Sequence, residues 1–428
     1  MLHFKNIIQV FEYNSLQYGT EYNGVLFKES HFNALVKFNE LHQNRYFNIG
    51  YKKITFKNYV GVLQVDGLVI EILPKIDQYE TNTVLWQSVL IQMLKVTKKL
   101  KVNAVGEAQI KKQNIHLLDI YFEWFLNEVE LLIRQGLIKQ YYKETKNIKA
   151  LKGKLEFSGH LSKNLVHKER FYTTHQVYEK DHLIHQVIGQ ALEIVASMSK
   201  GNHLYHHCKS VQLDFPEVTS IQATHHTFNK IPKTRKTAPY ETVLAIARLI
   251  ILNYAPNVAS GNENMLALLF DMNRLWEEYV LVRLKQVAEE KGVEVYGQNS
   301  KGFWNGITIR PDIVLVKKNY ENREEFLIID TKWKNIDYAE ASIHDLRQMY
   351  VYNEFWKSTR SLLLYPSMST HLHSDHFISY EDHKHSCCLG KISIFKEEEL
   401  DVSLGEEIIK LFKSNEPYQS NIQTQKMP

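Results

Sequence analysis

At 428 residues, 44% hydrophobic and 23% charged, the chain has the composition of a soluble globular protein and room for two or three domains. Its 52 Lys and Arg against 48 Asp and Glu leave a net charge of +4, too little to argue for a nucleic-acid partner. Three cysteines, Cys208, Cys387 and Cys388, make no disulfide framework, and the first residues hold no apolar signal segment, so a cytoplasmic protein is expected. The longest apolar helix candidate, Val243 to Tyr254, is too short to span a bilayer and contains Arg248, so no membrane contact is expected. No Gly-x-x-x-x-Gly-Lys-Ser/Thr occurs, so the chain is not expected to bind a nucleotide through a P-loop.

Residues 1–80 read as β-rich. Two apolar runs flank Asp66-Gly67 between Tyr59 and Ile76, a hairpin signal, and Asn23-Gly24 is a second one. Asn48-Ile49-Gly50 is a weaker turn signal. Over 82–105 the period changes to that of an amphipathic helix ending in Lys95, Lys98, Lys99 and Lys101. Another helix is expected over 116–138, stopped by Gly136.

From Leu131 to Arg170 ten Lys or Arg face three Glu, an excess of seven, with Tyr141, Tyr142, Phe157, Phe171 and Tyr172 interleaved. Basic residues among aromatics suit a phosphate backbone, which makes Lys139, Lys143, Lys146, Lys149, Lys152 and Lys154 candidate DNA contacts; a solvated face is the alternative. Helices are expected at 181–200 and 238–254. His203, His206, His207 and Cys208 between them match no familiar zinc spacing. Residues 255–264 read as a linker and a domain boundary.

A long helix is expected over 265–292, carrying Glu277 and Glu278. Two β-branched runs, 307–318 and 326–333, then flank a polar turn from Asn319 to Glu325. The first run carries Asp312 and the second ends Asp330-Thr331-Lys332. Side chains alternate along a strand, so Asp330 and Lys332 share a face that Thr331 does not. If the strands pair, Asp312 approaches Asp330. Two close carboxylates suit a hard divalent cation, and an ammonium beside them can hold a water or a phosphate oxygen. On a helix at 343–356, Gln348 and Tyr352 are four apart and share a face. Ser361 to Pro366 reads as a strand, 371–388 is rich in His and Cys, Lys391–Lys396 reads as a last strand and Leu404–Phe412 as a last helix. The tail from Ser414 reads as disordered.

Pro311-Asp312 followed by Asp330-Thr331-Lys332 resembles the PD-(D/E)xK nuclease signature, and Gln348 with Tyr352 resembles its RecB-like branch. Most of the chain resembles the McrC family, the nuclease subunit of McrBC-type modification-dependent (5-methylcytosine) restriction systems. The pieces are Val60-Gly61, Ile70-Glu-Ile-Leu-Pro-Lys75, Leu151-Lys-Gly-Lys154, Asp271-Met-Asn-Arg-Leu-Trp-Glu277, Arg310-Pro-Asp312, Asp330-Thr-Lys332, and Gln348 with Tyr352. His185-Gln186 departs from the Asn-Arg of many members.

The resemblance implies an α+β/α/β multidomain fold. An N-terminal β-rich partner-docking domain would cover 1–105, a mostly helical basic region 106–260, and a PD-(D/E)xK domain with a mixed central sheet 261–428. It implies a Mg²⁺-dependent endodeoxyribonuclease, with Mn²⁺ as a substitute. Asp312, Asp330, the Thr331 carbonyl and Glu277 would hold metal, Lys332 would position water or phosphate, Gln348 would orient Lys332 or the water, and Tyr352 would support them. The partners implied are DNA and a McrB-like AAA+ GTPase hexamer, which the chain would stimulate and which would recognise the modified DNA. Two alternatives stand beside this: an assembly or GTPase-activating adaptor with a weak or idle nuclease, and a stand-alone nuclease.

Overall fold

The computed structural model describes residues 6–65, 67–77, 79–100, 116–201, 203–255, 264–318, 324–334, 342–377, 385–396 and 399–413. Asp66, Lys101, most of the expected linker, most of the polar turn after Lys318, His383 and the tail from Ser414 lie outside them. Among the described residues no helix is long and apolar enough to cross a membrane.

The chain forms two compact units, and these are not the three consecutive segments expected. One unit comprises 1–6, 63–69 and 102–268; the other comprises 7–62, 70–101 and 269–428. Residues 7–62 and 70–101 therefore share a unit with 269–428. Aromatic packing within that second unit gives one cause: Trp333 lies edge-on to Trp86 (6.4 Å) and Trp276 (5.6 Å), and its indole N–H donates to the buried Glu12 carboxylate at 2.7 Å. An indole with a satisfied N–H packs without a desolvation penalty.

In the first unit, Leu117–Gln135, Leu183–Met198, His203–Asp214 and Glu241–Leu252 are helices. Most of the basic stretch is not helical. It forms a three-stranded antiparallel sheet of Gln140–Ile148, Lys154–Leu155 and Phe171–Glu179, with a short helix at Phe157–Asn164. Gly153 turns the chain there with φ +70°, and a Cβ on it would meet the Thr174 carbonyl at 2.3 Å, so the Leu-Lys-Gly-Lys motif admits only glycine at that position. His185, at the family departure, is buried. Its Nδ1 lies 2.6 Å from the Lys180 carbonyl and its Nε2 3.2 Å from the Tyr240 hydroxyl, while burial, then His182, pushes its pKa down to about 4.

In the second unit, Asn23 and Gly24 both have positive φ and join Glu21–Tyr22 to Val25–Leu26, the expected two-residue turn. Tyr59–Val65 and Leu68–Leu73, each divided between the two units, are neighbours in one sheet and flank Asp66-Gly67 as expected. Asn48-Ile49-Gly50 is not a turn but part of strand Phe47–Gly50; the chain reverses after it, where Lys52 takes φ +57°. Residues 29–41 form a helix within the region read as β-rich.

The expected long helix over 265–292 is a strand, Met265–Asp271, followed by the helix Met272–Lys291. Asp271 makes the break: its carboxylate caps the helix, accepting from the Asn273 and Arg274 amides at 3.0 and 3.2 Å. The mixed central sheet is present, in the order Val293–Gly297, Ile313–Lys318, Glu324–Thr331, Arg360–Ser367, Ser386–Ser393, His371–His376. Glu324–Thr331 pairs antiparallel with Ile313–Lys318 and parallel with Arg360–Ser367. The face bearing Val314, Val316, Ile328, Leu363 and Tyr365 packs on Met349, Tyr352 and Trp356 of the helix Ile343–Trp356.

Candidate active site

The two strands bring the acids together. Ile313 lies opposite Ile329, so one further step in the same register sets Asp312 opposite Asp330. Asp312 itself precedes its strand. The run expected over 307–318 is broken at Pro311, which has no N–H to give a ladder, and Ile307–Ile309 pairs instead with Lys301–Trp304. Asp330 shares the parity of Ile328 and faces the Ile343–Trp356 helix. Lys332 lies just past the strand end, where its N–H still donates to the Leu364 carbonyl at 2.9 Å.

Asp330 is 2% exposed. Its Oδ2 meets the Lys332 ammonium at 2.6 Å, and its Oδ1 accepts from the Gln348 amide at 3.3 Å. That amide also donates to the Tyr352 hydroxyl at 2.7 Å, and Tyr352 donates to the Arg310 carbonyl at 3.0 Å. Gln348 therefore orients Asp330 and, through Tyr352, the segment that leads into Asp312; the expected contact to Lys332 is not the one it makes. The Asp312 carboxylate accepts from the Thr331 amide at 2.7 Å and from its hydroxyl at 2.9 Å. Glu277 is half-buried and accepts from the Gln298 amide at 2.8 Å, while its neighbour Glu278 is held by Lys99 (2.7 Å) and Arg274 (3.0 Å).

These groups raise one another's proton affinity. Burial, then the Asp312 charge, pushes Asp330 up to about 6 against the pull of Lys332. Burial, then Asp312 again, pushes Glu277 up to about 7. Burial raises Asp312 as well, opposed by its bonds to Thr331. Although burial disfavours its charge, Lys332 is driven upward by Asp330 and Asp345. Buried like charges of this kind are relieved by a cation. Among the described residues no three His, Cys, Asp or Glu side chains are arranged to hold a metal, so Glu277 does not close a three-carboxylate cage with the two aspartates. The two aspartate carboxylates remain, a donor set that fits Mg²⁺, which keeps several waters and takes one or two carboxylates.

Three residues outside the expected set belong to the site. Asp345, in the first turn of its helix, lies 3.8 Å from the Lys332 ammonium and 3.0 Å from that of Lys334. It stands three positions before Gln348, on the same helix face, and that spacing was the available signal. Gln298, at φ +50°, donates its amide N–H to the Asp312 carbonyl at 2.8 Å as well as its side chain to Glu277. Asn273 accepts from the Trp333 amide at 3.3 Å, holding the residue after Lys332.

The six candidate DNA-contact lysines are all exposed and lie in the first unit, on or beside the three-stranded sheet. Lys139 lies over the Tyr178 ring, and Lys146 and Lys154 pair with Glu144 and Glu156. In the His/Cys-rich segments, Cys208 and Cys387 are buried, and His385 is paired with Glu354 at 2.9 Å.

Comparison with known proteins agrees with this architecture. The family model for the McrBC 5-methylcytosine restriction system component matches residues 54–366. The Type IV methyl-directed restriction enzyme EcoKMcrBC of Escherichia coli (strain K12) is 22% identical over 290 residues, 61% of this chain and 82% of that protein. The refined half-complex from the tetradecameric assembly of Thermococcus gammatolerans McrB AAA+ hexamers with bound McrC contains a chain of similar fold, with a TM-score of 0.69 and 17% identity over 95% of this chain and 100% of that one. The Thermococcus gammatolerans McrBC complex contains another, with a TM-score of 0.50 and 19% identity over 65% of this chain and 87% of that one. With its family model matched across most of its length, this chain belongs to the McrBC family of 5-methylcytosine restriction system components.

Proposed function

We propose that the chain is the McrC-type, DNA-cleaving subunit of a McrBC-like restriction system, with a PD-(D/E)xK site. The observation that carries this reading is the meeting of Asp312, Asp330 and Lys332, with Gln348 on Asp330, at one end of the mixed sheet.

Asp312, Asp330 and the Thr331 carbonyl would hold Mg²⁺, or Mn²⁺ in its place. When bound, the ion supplies Lewis acidity to the scissile phosphate and a water of lowered pKa. The chain's own residues do the rest. The Lys332 ammonium, drawn into place by Asp330 and Asp345, positions that water or a phosphate oxygen and stabilises the negative charge on the phosphoryl oxygens as the water oxygen bonds to phosphorus and the P–O bond to the leaving nucleotide breaks. Gln348 fixes the Asp330 carboxylate, as an outer partner fixes a metal ligand. Tyr352 supports Gln348. Glu277 completes the acidic pocket and would reach the ion through water.

The half-complex from Thermococcus gammatolerans holds McrC on McrB AAA+ hexamers. By the same reading this chain docks on a McrB-like GTPase hexamer and stimulates it, and recognition of modified DNA belongs to that partner. The exposed lysines from Lys139 to Lys154 add phosphate contacts.

The test is Asp330→Ala in the assembled complex with Mg²⁺ and methylated plasmid. Cleavage is expected to disappear while stimulation of the partner's GTPase survives. Full cleavage by the variant refutes the assignment, and a wild-type complex that leaves all DNA intact while stimulating GTP hydrolysis makes the chain an adaptor.

A further inference from the structure

The segment 299–311 is tied to the site at both ends. Before it, Gln298 bonds the Asp312 carbonyl and Glu277; near its end, the Arg310 carbonyl takes the Tyr352 hydroxyl, two residues ahead of Asp312. Between these anchors the chain forms a β-hairpin, Lys301–Trp304 with Ile307–Ile309, turned through Asn305 and Gly306 (φ +74°). A register shift between Gly302 and Trp304 sets Trp304 directly opposite Ile307, so the two side chains share a face at the tip.

The base of the hairpin is fastened down. Lys301 donates to the Phe355 carbonyl at 2.9 Å and lies over the Trp356 ring, and the Phe303 ring is 5.5 Å from that of Phe355. The tip is not: Trp304 is 74% exposed and Ile307 54%. Among the described residues neither side chain belongs to the buried core. The segment carries Lys301 and Arg310 and no Asp or Glu, which suits a polyanion.

We propose that this hairpin is a duplex-DNA contact element, and that Trp304 and Ile307 press against the base or sugar surface beside the scissile phosphate. The inference rests on the nuclease reading of the adjoining site. An apolar tip on an anchored base, a few residues from the catalytic aspartate, would hold the duplex at a set distance from it, by stacking or by wedging at a base step. It makes the hairpin a substrate-positioning element and leaves the chemistry to Asp312, Asp330 and Lys332.

The experiment uses the full chain and a fluorescein-labelled duplex oligonucleotide, with Ca²⁺ in place of Mg²⁺ so that nothing is cut. Trp304→Ala is expected to weaken binding about tenfold or more, the loss that follows removal of one base-stacking contact. Trp304→Phe should restore most of it, and Leu213→Ala, at an exposed position of the other unit, should bind as wild type. Duplex should also quench a part of the tryptophan emission that Trp304→Ala removes. Equal affinity and equal quenching in Trp304→Ala overturn the proposal, as does a wild-type chain that binds no duplex. Intact DNA binding with a weakened AAA+ complex overturns it too, by making the hairpin a protein contact. The two readings fail separately. Asp330→Ala inactive with Trp304→Ala binding and cutting as wild type sinks only the hairpin, whereas Trp304-dependent binding by a chain that never cuts sinks only the nuclease.

Discussion

Asp330→Asn should stabilise the metal-free protein while removing its activity. In the fold, burial and the Asp312 charge hold the Asp330 carboxyl at about 6 against the usual 3.8, even with Lys332 at 2.6 Å. A rise of that size corresponds to about 3 kcal/mol. Because the folded value lies above the unfolded one, the group's contribution is fully present below about pH 4 and is lost as pH rises through about 6. At neutral pH the ionised acid is a cost to the fold. Asparagine removes the charge and keeps an acceptor for Gln348, but it turns a poor partner toward Lys332, which retains Asp345 at 3.8 Å. A net gain of roughly 1–2 kcal/mol remains, a rise of a few degrees in Tm. Thermal denaturation in EDTA at pH 7.5 measures it, and at pH 4 the difference should vanish. Mg²⁺ should raise the wild-type Tm and leave that of the variant unchanged, since only the intact acid pair binds it. A variant that melts below wild type in EDTA at pH 7.5, or that gains as much from Mg²⁺, refutes the reasoning.

Gln348→Ala removes the amide that links Asp330 to Tyr352 and should lower plasmid cleavage about 10- to 100-fold, as loss of an outer-shell partner does, with a higher Mg²⁺ requirement; a titration of cleavage against Mg²⁺ checks both. Glu12 is fully buried against Trp333, and burial pushes its carboxyl up to about 8, so its contribution to stability is whole below about pH 4.5 and lost as pH rises through about 8. Glu12→Gln should flatten the fall of Tm between pH 5 and 9, which a melting series at fixed ionic strength reads directly.

The acids and the lysine were legible because a strand repeats every two residues. Parity alone put Asp330 and Lys332 on one side and Thr331 on the other, and the antiparallel partner then had to bring Asp312 close. The helix carrying Gln348 and Tyr352 was legible for a similar reason, its four-residue spacing. Less visible were features set by pairing at a distance. Met265 to Phe270 reads as helix because Leu, Ala and Met favour one, yet it is a strand until Asp271 caps the true helix. Asn305-Gly306 is a strong hairpin signal, but the β-branched run beginning at Ile307 reads as a single long strand, which Pro311 forbids.

Hardest to read was the distribution of charge around Lys332. Its spacing from Gln348 puts Asp345 on the helix face that meets the site, but nothing local says that it is a second counter-charge to Lys332, or that Gln298 holds Glu277. Both follow from the mixed sheet. A strand paired antiparallel on one side and parallel on the other sends its two neighbours' ends to the same edge, so the helix N-terminus that follows it and the loop that precedes its partner converge there. The acids of such a site are set by two strands, but their electrostatic balance is set by the connections between them. That is why a signature of three residues can be found in a sequence while the groups that tune those residues become visible only in the fold.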